Sequence, residues 1–190
     1  MPTEIASDFL KTAIKRLLYY KELGDKTFLQ VDEKGFHFSP GPDSNSIAVI
    51  IQHLSGNMLS RWTNFLTEDG EKEWRERDNE FEEQALDKAA LIAIWEKGWN
   101  CFIGTLQSLS PDDLGKTVSI RNEPLTVIDA INRQLAHYPY HIGQIVYLGR
   151  MVKGEHWQNL SIPKGGSHHY NSSDGIKDPA NKEVAVSLIP

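Results

Sequence analysis

The sequence predicts an all-α protein, a four-helix bundle with crossover connections. In four segments the apolar residues recur at steps of three and four, the spacing of an amphipathic helix. No repeat of the βαβ kind interrupts them. The connections between the first three helices span roughly 15 to 20 residues, longer than the turns of a simple up-and-down bundle, which favours crossover connectivity. A small hairpin-like loop and an irregular C-terminal tail complete the predicted fold.

The first helix is predicted over about residues 3–23 and ends near Gly24. Its apolar stripe consists of Ile5, Phe9, Leu10, Ile14, Leu17 and Leu18. Residues 25–42 then carry a short alternating stretch and a Pro-Gly-Pro exit. This pattern predicts a small hairpin or an ordered loop.

The second helix begins at Asp43, Ser44 or Ser46, any of which can cap it, and ends near Leu66. Its stripe consists of Ile47, Ile50, Ile51, Leu54, Met58, Trp62 and Phe65. Residues 67–84 are the most charged stretch of the chain. They are expected to form a long solvated connection, with a frayed helical turn as the alternative.

The last two helices also begin at capping residues. Asp87 caps a third helix that ends near Leu109, because a proline two positions further prevents it from continuing. A short β-like segment follows at Thr117–Ile120. Thr126 caps the fourth helix, which is predicted to end near Val152.

Length and composition are those of a single compact domain. The chain has 190 residues, of which 39% are hydrophobic, enough for one sizeable core and too few for two ordinary domains. The bundle domain is predicted over residues 1–165. Residues 166–190 are rich in glycine, serine and polar side chains, which is typical of a loosely ordered tail.

Charge and apolar content exclude several classes of partner. There are 26 acidic and 20 basic residues, so no net positive field attracts nucleic acid or an anionic membrane. The longest apolar run, Ala89–Trp95, is too short to span a bilayer. The single cysteine, Cys101, cannot form an internal disulfide, and the N-terminus lacks the pattern of a secretory signal. A cytoplasmic protein is expected.

The histidines are the strongest candidates for chemistry. His137 and His141 are four residues apart on the fourth helix, so both imidazoles lie on one face and can reach one metal ion. Pro139 lies between them and removes a backbone hydrogen bond, at a cost of about 3 kcal/mol. Such a break of a local rule often marks a functional site.

His137 and His141 lie roughly 100 to 140° away from the centre of the apolar stripe of the fourth helix. His53 lies at a similar angle from the stripe of the second helix, so one groove can hold all three histidines. The alternative is that each is a hydrated or hydrogen-bonded surface histidine. If they converge, three neutral imidazoles suit Zn²⁺, Ni²⁺ or another borderline divalent metal and leave one coordination position open, as at catalytic zinc sites. Candidates to orient them are Asn57, Gln144 and Gln52. For the neighbouring charged residues a solvated salt-bridge network is preferred over entry into the groove; these residues are Arg61, Arg75, Arg77, Asp78 and Glu80.

Two helices also carry a family resemblance. The segments IIQHLSGNMLSRW and LAHYPYHIGQIVYLGRM, followed by LSIPKG, resemble the DinB/YfiT-like superfamily of metal-binding four-helix bundles over nearly the whole chain. In that family one histidine of the second helix and an H-x-x-x-H pair of the last helix bind a divalent metal. The matching positions here are His53, His137 and His141. The stretch FLTEDGEKEWRERDNEF also resembles one bacterial branch whose activity is undefined.

The resemblance implies a bundle with crossover connectivity, often a homodimer, and a metal at the mouth of a groove between helices; zinc or nickel is the metal that the imidazoles suit. Characterised relatives include transferases and isomerases that use bacillithiol, mycothiol or glutathione. The expectation is therefore a thiol S-transferase in detoxification, with a low-molecular-weight thiol as a small-molecule partner. A metal-dependent hydrolase and a non-catalytic, metal-stabilised bundle stay open as alternatives. No catalytic residue is assigned.

Overall fold

The structure is a computed structural model that describes residues 3–173, 175 and 178–181. It confirms the predicted all-α bundle with an accompanying hairpin. The elements are α1 (Thr3–Gln30), α2 (Glu33–Phe36), α3 (Ile47–Trp62), α4 (Lys88–Ser108), β1 (Thr117–Ile120), β2 (Glu123–Thr126), α5 (Val127–Lys153) and α6 (Ser167–Ser172). Short 3₁₀ turns lie at Asp78–Phe81, Pro111–Gly115, Gly154–His156 and Pro179–Asn181.

The four long helices are arranged so that consecutive helices are not always neighbours. In the described part of the chain α1 packs mainly against α5 and also against α4, whereas α3 packs mainly against α4 and also against α5. Helices α1 and α3 therefore lie diagonally opposite, and so do α4 and α5. The connections 31–46 and 109–126 must cross the bundle. The length of the first predicted this, whereas the other long connection named in the prediction, 63–87, joins the neighbouring helices α3 and α4. This arrangement makes α3 and α5 neighbours.

The predicted N-caps of three helices are confirmed. The Ser46 side chain accepts a hydrogen bond from the amide of Val49, and Thr126 accepts one from the amide of Asp129. At α4 the cap is Asp87. Each cap satisfies an amide that the first helical turn leaves without a partner, so these helices begin where the sequence indicates.

The prediction of a hairpin or loop over residues 25–42 is wrong for its first part, because α1 continues to Gln30. Gly24 does not end the helix. A Cβ there would lie 2.7 Å from Cζ2 of Trp95, so the glycine lets α1 approach α4 closely. Beyond it Phe28 is buried, and this burial extends the helix past its predicted end. Residues 33–36 then form the short helix α2, which Asp32 caps.

The hairpin of the fold lies instead at 117–126. Strands β1 and β2 pair antiparallel around a two-residue turn, Arg121 and Asn122, whose φ angles of 57° and 62° lie in the left-handed region. The carboxylate of Asp69 accepts hydrogen bonds of 2.8 Å from both turn amides. These bonds fix the hairpin to the connection between α3 and α4.

Aromatic side chains fill the centre of the bundle. The largest fully buried residues include Trp62, Trp95, Trp99, Tyr138 and Phe102. The Tyr138 hydroxyl accepts a hydrogen bond from Nε1 of Trp62 (3.2 Å) and donates one to Oδ1 of Asn57 (3.1 Å). Because Tyr138 is locked between α3 and α5, it fixes the rotation of α5 next to His137.

Part of the predicted tail lies within the described residues. It contains the short helix α6 and the turn at Pro179–Asn181, where Ala180 is buried and Asp178 pairs with Arg16 at 2.6 Å. Residues 1–2, 174, 176–177 and 182–190 lie outside the described residues. In the part of the chain that is described, no helix combines the length and apolar character that a bilayer crossing requires.

Replacement of Gly24 by alanine tests the close approach of α1 and α4. The added Cβ would overlap the rigid Trp95 ring, so we expect Gly24→Ala to lower the free energy of unfolding by about 1 to 2 kcal/mol, despite its better helix propensity. The matched control is Gly104→Ala in α4, where no atom lies within 4 Å and a gain of about 0.5 to 1 kcal/mol is expected. Urea denaturation of both variants measures the difference. An equal gain in both would contradict the close packing.

Candidate metal centre

The structure brings together the three histidines that the sequence singled out. His53 lies on α3 and His137 and His141 lie on α5, and one ring nitrogen from each falls within 4.8 Å of the other two. The Nε2 atoms of His53 and His137 are 3.4 Å apart. His53 and His141 are buried and His137 is half-buried. Helix α5 runs through Pro139 without interruption, so its two histidines keep their helical spacing.

Each imidazole is held through its Nδ1 atom by an oxygen acceptor. His53 donates to Oε2 of Glu80 at 3.0 Å. His141 donates to Oε1 of Gln144 at 2.8 Å, and His137 to Oε1 of Gln134 at 3.4 Å. These bonds place the proton on Nδ1 and leave the Nε2 lone pairs free. Metal-binding histidines usually have this arrangement, in which the ring nitrogen that does not bind the metal donates to an oxygen.

The site keeps at least two of these rings neutral. Burial first, and then the other two imidazoles and nearby arginines, lower the pKa of His137 to about 3. Burial also lowers the pKa of His141, although its hydrogen bond to Gln144 opposes this shift. A neutral imidazole offers a lone pair at neutral pH without first losing a proton.

This donor set fits a divalent cation. All three Nδ1 atoms carry the ring proton and donate it to an oxygen. The three Nε2 atoms therefore face one another with lone pairs only, and no N–H lies between them to form a hydrogen bond. Two ligand nitrogens of a tetrahedral ion at a Zn–N distance of about 2.0–2.1 Å are about 3.3 Å apart. The observed His53–His137 separation of 3.4 Å is close to that value. The three-histidine group could therefore hold a metal ion.

A buried ion pair positions His53. Glu80 accepts from Nε and Nη2 of Arg75, at 2.7 and 2.9 Å, and its Oε2 also accepts from His53. Burial alone would raise the pKa of Glu80, but the hydrogen bonds from His53 and Arg75 hold it below its usual range. Gly56 makes room for this carboxylate, since a Cβ there would overlap Oε1 of Glu80.

The prediction that residues 67–84 are a solvated connection is wrong for the part that reaches the site. Lys72, Arg75 and Glu80 are buried, and Glu80 lies in the 3₁₀ turn Asp78–Phe81. The ring centroid of Phe81 lies 4.7 Å from that of His53. The sequence carried one signal that this segment is partly buried, the aromatic residue Phe81 within a run of charged residues. The partners that make burial of the charges favourable lie on other elements and are invisible in the local pattern.

The start of this connection is anchored at two places. The amide of Gly70 donates to the carbonyl of Ser119 in β1 at 2.8 Å. Its carbonyl accepts from Oγ of Ser60 in α3 at 2.7 Å. Together with Asp69, these bonds fix the segment between α3 and the hairpin and direct its later residues over His53.

The three histidines line an open cavity of about 670 Å³. Its other lining residues are Asn57, Arg61, Arg75, Arg77, Phe81, Arg121, Arg133, Gln134, Ala136 and Tyr140. A ligand bound at the histidines would therefore have space on one side.

Of the proposed orienting residues, Gln144 contacts a histidine directly. Asn57 instead accepts from Tyr138. Gln52 acts one step further out, because its amide donates to the carbonyls of Glu80 and Glu82, at 3.3 and 2.9 Å, and so supports the turn that carries the Glu80 carboxylate. Sequence reasoning missed Glu80 and Gln134 as partners of the imidazoles.

Fold and site together define a class: a helical bundle with a histidine group capable of holding a metal ion between two neighbouring helices. A family model matches residues 4–166, and the chain belongs to that family, which is described as a protein of unknown function (DUF1572). No curated protein and no solved structure matches the chain significantly.

Removal of the Glu80 carboxylate tests the buried ion pair. Glu80→Ala leaves the guanidinium of Arg75 buried without its counter-charge, so we expect a loss of about 3 to 5 kcal/mol in the free energy of unfolding. Glu82→Ala is the matched control, because this neighbouring side chain is exposed, and a change within about 0.5 kcal/mol is expected. Chemical denaturation of metal-free protein measures both. Similar stabilities for the two variants would show that the pair contributes little.

Proposed function

We propose that this chain is a divalent-metal-dependent enzyme of the DinB-like class, and that its reaction is the transfer of a low-molecular-weight thiol to an electrophile. The observation that carries the proposal is the convergence of the three histidines on an open cavity. Membership of the DinB-like class is supported by the H-x-x-x-H pair on α5, the histidine on α3 and the diagonal placement of α1 opposite α3 and of α4 opposite α5.

The coordination expected from these residues favours catalysis over a purely structural role. The ligands are His53, His137 and His141, with zinc or nickel as the metal that imidazoles suit. Structural zinc sites are closed by four protein ligands, whereas three ligands leave a position open. A divalent metal bound here would lower the pKa of a thiol or a water in that position.

The cavity lining favours a thiol over water as the nucleophile. It includes no carboxylate, and the nearby Glu80 is already occupied by Arg75 and His53. Hydrolysis benefits from a general base that accepts the water proton and returns it to the leaving group. A thiol needs no such group, because its pKa starts near 8.5 and a modest shift makes it a thiolate at neutral pH.

The proposed reaction is a displacement. The thiol loses its proton to solvent, and the thiolate sulfur forms a bond to an electrophilic carbon while the leaving group departs with the electrons of the broken bond. The chain contributes three functions. Glu80, Gln134 and Gln144 hold the imidazoles, the Asp78–Phe81 turn covers His53, and the cavity admits both reactants. A cytoplasmic detoxification role is proposed with it.

Metal content is the first test. We expect untagged wild-type protein to carry about one divalent metal ion per chain after incubation with zinc or nickel. His53→Ala and His137→Ala should lose nearly all of it, because each removes one of three ligands. The control is His156→Ala, an exposed histidine outside the group. Elemental analysis decides the matter, and metal retained in both site variants would refute the ligand assignment.

A rate assay separates the candidate reactions. With 1-chloro-2,4-dinitrobenzene as electrophile, we expect metal-loaded protein to consume one of glutathione, bacillithiol or mycothiol and release chloride. Removal of the metal by a chelator, or the substitution His53→Ala, should abolish this thiol consumption.

Two other results would contradict the transferase. Cleavage of a nitrophenyl ester without any thiol, dependent on the same metal, would indicate the hydrolase. A metal that raises the melting temperature of the protein but supports no turnover would indicate a metal-stabilised bundle.

A further inference from the structure

Arginines are concentrated around the candidate metal centre. The chain has seven arginines, and five of them line the one cavity that contains the histidines. They are Arg61, Arg75, Arg77, Arg121 and Arg133. Among the described residues no acidic side chain lines this cavity, although acidic residues outnumber basic ones in the chain as a whole.

Acidic neighbours outside the lining do not balance this charge. Arg75 is paired with Glu80. Arg61 and Arg121 share a single ion-pair partner, Oε2 of Glu71, at 2.8 and 3.0 Å, so these three side chains together carry one surplus positive charge. The nearby Asp69 carboxylate accepts from the backbone amide of Arg121 and forms no ion pair with its guanidinium in the described structure.

The remaining two arginines are compensated still less. Arg77 lies 3.9 Å from Asp78, whose side chain is fully exposed, so solvent screens this pair. The guanidinium of Arg77 also lies over the Phe81 ring, at 5.1 Å. Arg133 forms no ion pair within the described residues. The mouth of the cavity therefore carries a surplus of positive charge.

A buried donor of Arg75 also lacks a partner. Nε and Nη2 of Arg75 are used by Glu80, but Nη1 is buried with no hydrogen-bond partner in the described structure. The Arg75 side chain is only 2% exposed. A buried guanidinium donor is costly to leave unpaired, and because Arg75 lines the cavity, an acceptor that reaches it from there would remove this cost.

We propose that this cavity binds an oxyanion, a carboxylate or phosphate group of the substrate, through Arg133, Arg77 and the inner guanidinium of Arg75. Three neutral imidazoles do not neutralise a dication, so a bound metal would add to the positive surplus and strengthen the requirement for an anion. The inference deepens the proposed function by naming the substrate class. The oxyanion site depends on the proposed metal-dependent function in one respect only, namely which end of the substrate lies at the histidines.

The test is a nuclear magnetic resonance titration of the full chain, both metal-free and zinc-loaded, at constant ionic strength. The probes are acetate and methylphosphonate, with acetamide as the uncharged counterpart of acetate. We expect saturable shifts in the amides of residues 75–81 and 133–141 with at least one anion and none with acetamide. The tighter anion identifies the head group.

The matched variants are two exposed arginines of α5. Arg133→Gln should weaken anion binding about tenfold, because it removes a charge-assisted hydrogen bond from the cavity. Arg150→Gln removes the same charge from the same helix outside the cavity and should change the affinity less than about twofold. Equal shifts with acetamide, no saturable shift with either anion, or an unchanged affinity in Arg133→Gln would overturn the proposal.

The two proposals fail separately in this design. Anion binding that Arg133→Gln weakens in metal-free protein, combined with no metal uptake, would leave the oxyanion site standing and remove the metal-dependent function. Metal uptake without anion binding would remove the oxyanion site and leave the metal-dependent function standing.

Discussion

The rest of the site depends on one buried carboxylate. Glu80 bridges Arg75 and His53, so it joins the connection after α3 to the ring that would be the first metal ligand. A buried charge pair is stable only when its partners are well placed and hydrogen-bonded, as both carboxylate oxygens of Glu80 are here. This requirement forces the Asp78–Phe81 turn down onto α3, where Gly56 leaves room for it.

The diagonal arrangement of the bundle provides the opposing surface. Because α3 and α5 are neighbours, His53 faces the pair on α5 across one helix contact. Tyr138, hydrogen-bonded to Trp62 and Asn57 in the core, fixes the rotation of α5 between its two histidines. Core packing thus sets the positions of the imidazoles, and Glu80 in the connection between α3 and α4 sets the tautomer of His53.

The same connection gives the cavity its electrostatic character. Asp69 and Gly70 tie it to the hairpin, which brings Arg121 to the mouth beside Arg77. A pocket that combines neutral imidazole nitrogens able to hold a metal with surplus guanidinium groups is suited to a substrate that carries one soft nucleophilic end and one anionic end. The connection 63–87 therefore contributes to both proposed sites, through Glu80 beside His53 and through Arg75 and Arg77 in the cavity lining.

The sequence alone determined the four long helices, the caps Asp87 and Thr126, and the three candidate histidines, and it left Ser46 as one of three possible caps of the second helix. Helical periodicity, capping and an i, i+4 spacing are local properties. The lengths of the connections indicated crossovers but not which connections make them, since the long connection 63–87 joins the neighbouring helices α3 and α4. The tertiary structure decided the length of α1, the burial of Glu80 and Arg75, and the gathering of arginines around one cavity. These features depend on contacts between residues far apart in sequence, such as Gly24 with Trp95 and Glu80 with His53. Burial of a charge or a close helix approach becomes favourable only when the distant partner is present, and no local pattern encodes that partner.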